Sequence, residues 1–196
     1  MSGQGTGGDG VLRLYGDALA YFARGVHAVG ENQWGDPTPD EDWSVRDLVN
    51  HLTVEQMWVP PLVREGARIA DYQDRLAGDQ LGDDPVAAWD RASAAALEAF
   101  GEPGALDRRV HLSYGDTRAF AYCAQMATDA AVHGWDLARA IGADETIPPH
   151  LVAFALEETE PYADSLAASG LFAPPVPVPD DADDQTRLLA RLGRRA

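Results

Sequence analysis

The chain has no lysine and a single cysteine, and no apolar run approaches the length of about 18 residues that a membrane-spanning helix needs. All fifteen cationic side chains are therefore arginine, and they face 32 carboxylates, giving a net charge of 15 − 32 = −17. A surface of that sign repels phosphate backbones and anionic headgroups, so nucleic acid and membranes are excluded as natural partners. The lone Cys123 excludes an internal disulfide and any zinc site built from several thiolates. A basic-then-apolar leader is also missing, so a cytoplasmic location is expected.

What remains is ordinary for a globular protein: 196 residues, 45% of them hydrophobic, enough for one domain with a real core. Residues 1–10 are rich in glycine and polar residues and read as a flexible tail; 11–196 read as one domain. Leu12, Tyr15, Leu19, Phe22 and Val26 recur at spacings of three and four, the pattern of an amphipathic helix ending near Gly30. Ser44 with Asp47 marks the start of a second helix with Val45, Leu48, Leu52, Met57 and Trp58 on its buried face. Pro60 and Pro61 should kink or break it before it resumes through Leu62, Val63 and Ile69. Asp83-Asp84-Pro85 opens a third helix with Val86, Trp89, Ala96, Leu97 and Phe100 as its stripe. Arg108 to Thr117 is a short extended excursion, and a fourth helix runs from about Arg118 to Ile141, closed by Gly142. Pro148 and Pro149 open a fifth. The proline-rich stretch from Phe172 is expected to lie on the bundle as a strap, held by a short helix bearing Leu188, Leu189 and Leu192. The expected fold is all-α: a four-helix bundle with an extended excursion and a C-terminal strap.

Within that frame the chemistry concentrates on Asp129-Ala-Ala-Val-His133-Gly-Trp-Asp136. On a helix, Asp129 and His133 stand on adjacent turns of one face, so a carboxylate and an imidazole can reach one divalent ion. A zinc site with catalytic potential uses three protein ligands and leaves one position open, so a third ligand must come from elsewhere. Of the five histidines, His27, His111 and His150 sit at helix ends or in the excursion and read as structural or exposed. His51 lies well inside a strong helix, as His133 does. Glu55, one turn after His51, reads equally as a general base, a weak fourth ligand, a partner for a histidine, or an exposed helix glutamate. Asp136, one turn beyond His133, can anchor an imidazole but reads first as an ion-pair partner of Arg139 or a helix-interface residue; Trp58 and Trp135 can line the pocket but read first as packing, and Cys123 as a small core residue.

Trp43-Ser-Val-Arg-Asp-Leu-Val-Asn-His51-Leu, followed by Asp129-Ala-Ala-Val-His133-Gly-Trp-Asp-Leu-Ala-Arg-Ala, resembles the DinB-like superfamily. Within it, the chain is most similar to the metal-binding N-terminal domain of mycothiol-dependent maleylpyruvate isomerases. The ending Phe172-Ala-Pro-Pro-Val-Pro-Val-Pro-Asp-Asp and Arg187-Leu-Leu-Ala-Arg-Leu-Gly-Arg-Arg resembles stand-alone actinobacterial members of that group. The resemblance implies a four-helix bundle and a divalent metal held by His51, Asp129 and His133. It departs at Asp129, where the isomerases carry a glutamate, one methylene longer. The isomerases also carry a second, C-terminal domain that the resemblance does not reach.

The resemblance further implies that a small thiol, mycothiol or its like, becomes a metal-held thiolate and attacks an electrophilic carbon. Zinc is the first expectation for the ion; nickel, iron and manganese accept the same ligands. The expected function is a metal-dependent enzyme acting as a thiol transferase or isomerase on a small electrophile. Two alternatives stay open: a hydrolase or lyase using metal-bound water, and a metal-binding protein without catalysis. The expected partners are a small substrate and a small thiol, with a homodimer left open.

Overall fold

The structure is a computed structural model that describes residues 7–40, 42–162 and 174–195. Four long helices carry it: α1 (Gly8–Ala28), α2 (Val45–Arg64), α4 (Pro85–Gly101) and α5 (Ala119–Ile141), with a single turn α3 (Ile69–Tyr72) between α2 and α4. Helix α1 packs along α5 and α2 along α4, and contacts of α1 with α4 and of α2 with α5 close the ring. The core inside it is built from Tyr15, Phe22, Leu48, Leu52, Trp89, Phe100 and Leu137, all fully buried. The all-α bundle predicted from helical periodicity is therefore the observed fold.

Local signals explain where the helices begin and end. Ser44 and Asp47 form a reciprocal capping box at the start of α2, each side chain accepting the other's backbone N–H. Asp84 caps α4 ahead of Pro85, and Gly142, with φ 69°, ends α5 in the left-handed conformation. The extended excursion is an antiparallel hairpin, β1 (Arg109–Leu112) and β2 (Gly115–Arg118), paired from Arg109↔Arg118 to Leu112↔Gly115. Helix α6 (Pro149–Thr159) starts at the expected prolines. The C-terminal helix Asp184–Arg191 is capped by Asp183 and buries Leu188, Leu189 and Leu192 completely. The strap ahead of it meets it through Val176 N–H, which donates to Ala190 O at 2.9 Å; Phe172 and Ala173 lie outside the described residues.

Three expectations need correction. Helix α1 begins at Gly8, so the last residues assigned to the tail belong to it. Helix α2 runs through Pro60 and Pro61 without a break and stops at Arg64, while Ile69 opens α3. Each proline lacks the N–H that would bond four residues back, yet the helix continues for three residues beyond Pro61, and Pro61 O accepts from Glu65 N–H at 3.2 Å. Leu97 is exposed on α4, and Ala92 and Ala99 are buried there alongside Trp89, Ala96 and Phe100.

Helices α1 and α5 come close together at Gly134. A Cβ there would lie 2.5 Å from Cδ1 and Cε1 of Tyr21, whose ring is buried. Gly134→Ala is expected to lower stability. Overpacking costs about 1–3 kcal/mol, more than the roughly 1 kcal/mol that alanine gains over glycine in a helix. A fall in the urea midpoint is the expected reading; an unchanged or raised midpoint would show that the two helices can part without loss.

Candidate metal centre

The capping box fixes where α2 starts and so sets the direction in which His51 points, two turns in. On α5, Asp129 and His133 stand one turn apart. One ligand atom from each of His51, Asp129 and His133 lies within 4.8 Å of the others. Nε2 of His133 is 3.4 Å from Oδ1 of Asp129. Two ligands at about 2.0–2.1 Å from a tetrahedral ion stand roughly 3.3 Å apart, so this pair is already at ligand spacing. The rings of His51 and His133 meet edge to face, with centroids 5.5 Å apart. The indole of Trp43 lies 4.8 Å from the His51 ring and 6.2 Å from the His133 ring, covering one side of the cluster.

The other nitrogen of His133 is held as firmly. Nδ1 lies 2.9 Å from Oδ2 of Asp136 and 3.3 Å from Oδ2 of Asp40. Asp136 is fully buried. Both carboxylates meet the guanidinium of Arg194, which is itself buried. Its Nε donates to Asp136 Oδ1 at 3.2 Å and its Nη2 to Asp136 Oδ2 at 2.8 Å, and Nη2 also reaches both Asp40 oxygens at 3.0 Å. Asp40, His133 and Asp136 form a second convergence of potential ligands, and Arg194 serves as its cation. A histidine that ligates a metal commonly donates its other ring N–H to a carboxylate, which fixes the tautomer and aims the free nitrogen. His133 has that arrangement, and the donor set of two imidazoles and one carboxylate fits a divalent ion.

The protonation equilibria follow from the same contacts. Burial alone would lower the pKa of His133, but Asp129 above all, with Asp136 and Asp40, outweighs it and raises the value to about 10. Burial lowers the pKa of His51 despite the opposing pull of Asp129, so this imidazole is neutral and its lone pair is available. Glu55, one turn along α2, is pushed up to about 7 by burial and by Asp129, against the attraction of His133. A carboxyl poised there can hold or release a proton near neutral pH.

The structure thus brings together His51, Asp129 and His133, with Glu55 beside them but outside the group whose atoms stand at ligand spacing. The other histidines pair at the surface: His27 with Asp90, His111 with Asp116 and His150 with Asp17. Trp135 is buried, and Cys123 sits in the core with its thiol pKa raised by burial to about 12. Trp58 is only partly buried. Asp136 takes the less favoured of its expected roles, as the anchor of an imidazole. It pairs with His133 and Arg194, whereas Arg139 pairs with Glu145 and lies over the Trp135 ring. Its spacing of three residues from His133 is the signal that allowed this role. Asp40 and Arg194 had none, since a loop and the chain's end reach the site only through tertiary structure.

Fold and donor set together define a four-helix bundle with a two-histidine, one-carboxylate cluster on α2 and α5. The sequence model of the mycothiol maleylpyruvate isomerase N-terminal domain family matches residues 15–138, and the chain belongs to that family. Uncharacterized proteins from two strains of Mycobacterium tuberculosis are each 29% identical over 184 residues, covering 91% of this chain and 92% of theirs. Among solved structures, a mycothiol-dependent maleylpyruvate isomerase superposes with a TM-score of 0.62 at 16% identity, over 81% of this chain and 72% of that one. A histidine-to-alanine mutant of such an isomerase superposes with a TM-score of 0.59 at 15% identity, over 80% and 71%. At these identities the likeness to the solved structures is one of fold.

Proposed function

We propose that His51, Asp129 and His133 hold a divalent metal, zinc first, and that the protein is an enzyme joining a small thiol of the mycothiol type to a small electrophile. The observation that carries the reading is the convergence of the three ligand atoms while Asp136 and Asp40 occupy the far nitrogen of His133. Family membership supports the choice of a thiol over water as the molecule activated. When bound, the ion supplies Lewis acidity that lowers the pKa of a coordinated thiol. The chain's own residues do the rest. His51 offers a neutral imidazole. His133 keeps Nε2 aimed at the shared point through its Nδ1 contacts. The Glu55 carboxylate takes up the proton that the thiol gives up, since its pKa of about 7 lets it both accept and return a proton near neutrality. Trp43 shields one side of the cluster from water. The same ligands would serve a hydrolase or lyase that activates water, and the response to thiol separates the two.

Reconstitution with cobalt(II) tests the reading directly. Tetrahedral d–d absorption is expected on metal addition, and a new near-ultraviolet charge-transfer band on addition of a low-molecular-weight thiol. A spectrum with metal bands that ignores thiol at millimolar concentration would reject thiol activation and favour the water reading.

A further inference from the structure

The buried guanidinium of Arg194 lies within three residues of the chain's end, far in sequence from the helices that carry the cluster. It is 7% exposed, in a chain whose other arginines mostly lie at the surface. The backbone explains how it gets there. The C-terminal helix ends at Arg191 with Leu192 as its cap, and Gly193 adopts φ 81°. Gly193 N–H donates to Ala190 O at 3.1 Å and Arg194 N–H to Leu189 O at 2.8 Å. This doubly bonded helix end turns the chain back, as glycine in the left-handed region allows. The turn directs Arg194 inward while Leu188, Leu189 and Leu192 anchor the helix in the core.

We infer that Arg194 is a positioning residue for the metal centre: it clamps Asp136 and Asp40 against Nδ1 of His133 and so holds Nε2 at the point shared with His51 and Asp129. The inference rests on the metal reading above. Asp40 comes from the loop before α2 and Asp136 from α5, so without a cation between them two carboxylates would face each other beside one imidazole. Arginine suits the task because its planar fork spans both carboxylates at once, which the single ammonium of a lysine does not. The guanidinium bonds the two carboxylates that hold Nδ1 of His133, and it acts through them. The C-terminal helix is thereby tied to the chemistry of the bundle as well as to its packing.

Arg191 supplies the control. It fastens the same helix to α6, with Nη1 donating to Leu156 O at 2.8 Å and Nη2 pairing with Glu160 at 2.8 Å, away from His133. The test measures zinc affinity of the full chain and its variants by competition with a chromophoric chelator, beside cobalt(II) spectra and thermal melts. Arg194→Met is expected to weaken zinc about 10–100-fold, the usual effect of removing an outer support of a metal ligand, and to alter the cobalt band pattern. Arg194→Lys should recover part of that loss. Arg191→Met should lower the melting temperature yet leave zinc affinity and the cobalt spectrum as in the parent. Unchanged zinc affinity in Arg194→Met, or an equal loss in Arg191→Met, would overturn the positioning role while leaving the metal reading intact. A parent protein that binds neither zinc nor cobalt would overturn both.

Discussion

His133→Ala is expected to abolish stoichiometric metal binding, with His51→Ala and Asp129→Ala close behind. Structural zinc sites bind with roughly 10–16 kcal/mol shared by four ligands, so one ligand carries about 3 kcal/mol, more than a hundredfold in affinity. A three-ligand site has less to spare than a four-ligand one. His133 should be the most sensitive position, because its ring is fully engaged: Nδ1 by Asp136 and Asp40, Nε2 toward Asp129. The variant should still fold. Asp136 and Asp40 keep Arg194 as their counter-ion, so no buried carboxylate is stranded. Metal content after purification without chelator, read beside circular dichroism, separates loss of metal from loss of fold. Full metal retention in folded His133→Ala and His51→Ala would dispose of the centre.

The parts of this molecule that follow from local rules were legible beforehand. Periodicity at three and four residues placed Tyr15, Leu19, Phe22 and Val26 on the buried face of α1, and Ser44 with Asp47 marked the start of α2 because a capping box is written within four residues. The pairing of Asp129 with His133 was legible for the same reason, since one helical turn fixes their relation. What escaped depends on distance along the chain. Asp40 and Arg194 are 154 residues apart and meet beside His133 only once the bundle has formed. The prolines misled only in allowing a break and in carrying the resumed helix on to Ile69. They disfavour a helix interior, but near the end of α2 the packed face outweighs the lost bonds. Leu97 misled because periodicity assigns a residue to a face without saying how wide that face is, and Leu97 lies at its edge.

Metal affinity should rise with pH well beyond the range in which a free histidine titrates. In the metal-free protein the His133 pKa of about 10 means that both ring nitrogens stay protonated near neutrality, with Nε2–H directed at Asp129. Because the folded value is raised above about 6.5, this pairing stabilises the metal-free fold fully below that pH and is lost as pH rises through about 10. A metal must take the place of the Nε2 proton while the Nδ1 proton stays with Asp136. Binding therefore releases about one proton per ion, and the apparent association constant should rise close to tenfold per pH unit between about pH 7.5 and 9.5. Below about pH 7 the slope should steepen, because Glu55, raised to about 7 by burial and Asp129, ionises more readily beside a divalent cation. Chelator competition across pH gives the slope, and calorimetry in buffers of different ionisation enthalpy counts the protons. A flat profile above pH 7.5 would mean that His133 is already neutral before metal arrives, and that the three carboxylates around it leave its basicity near that of a free imidazole.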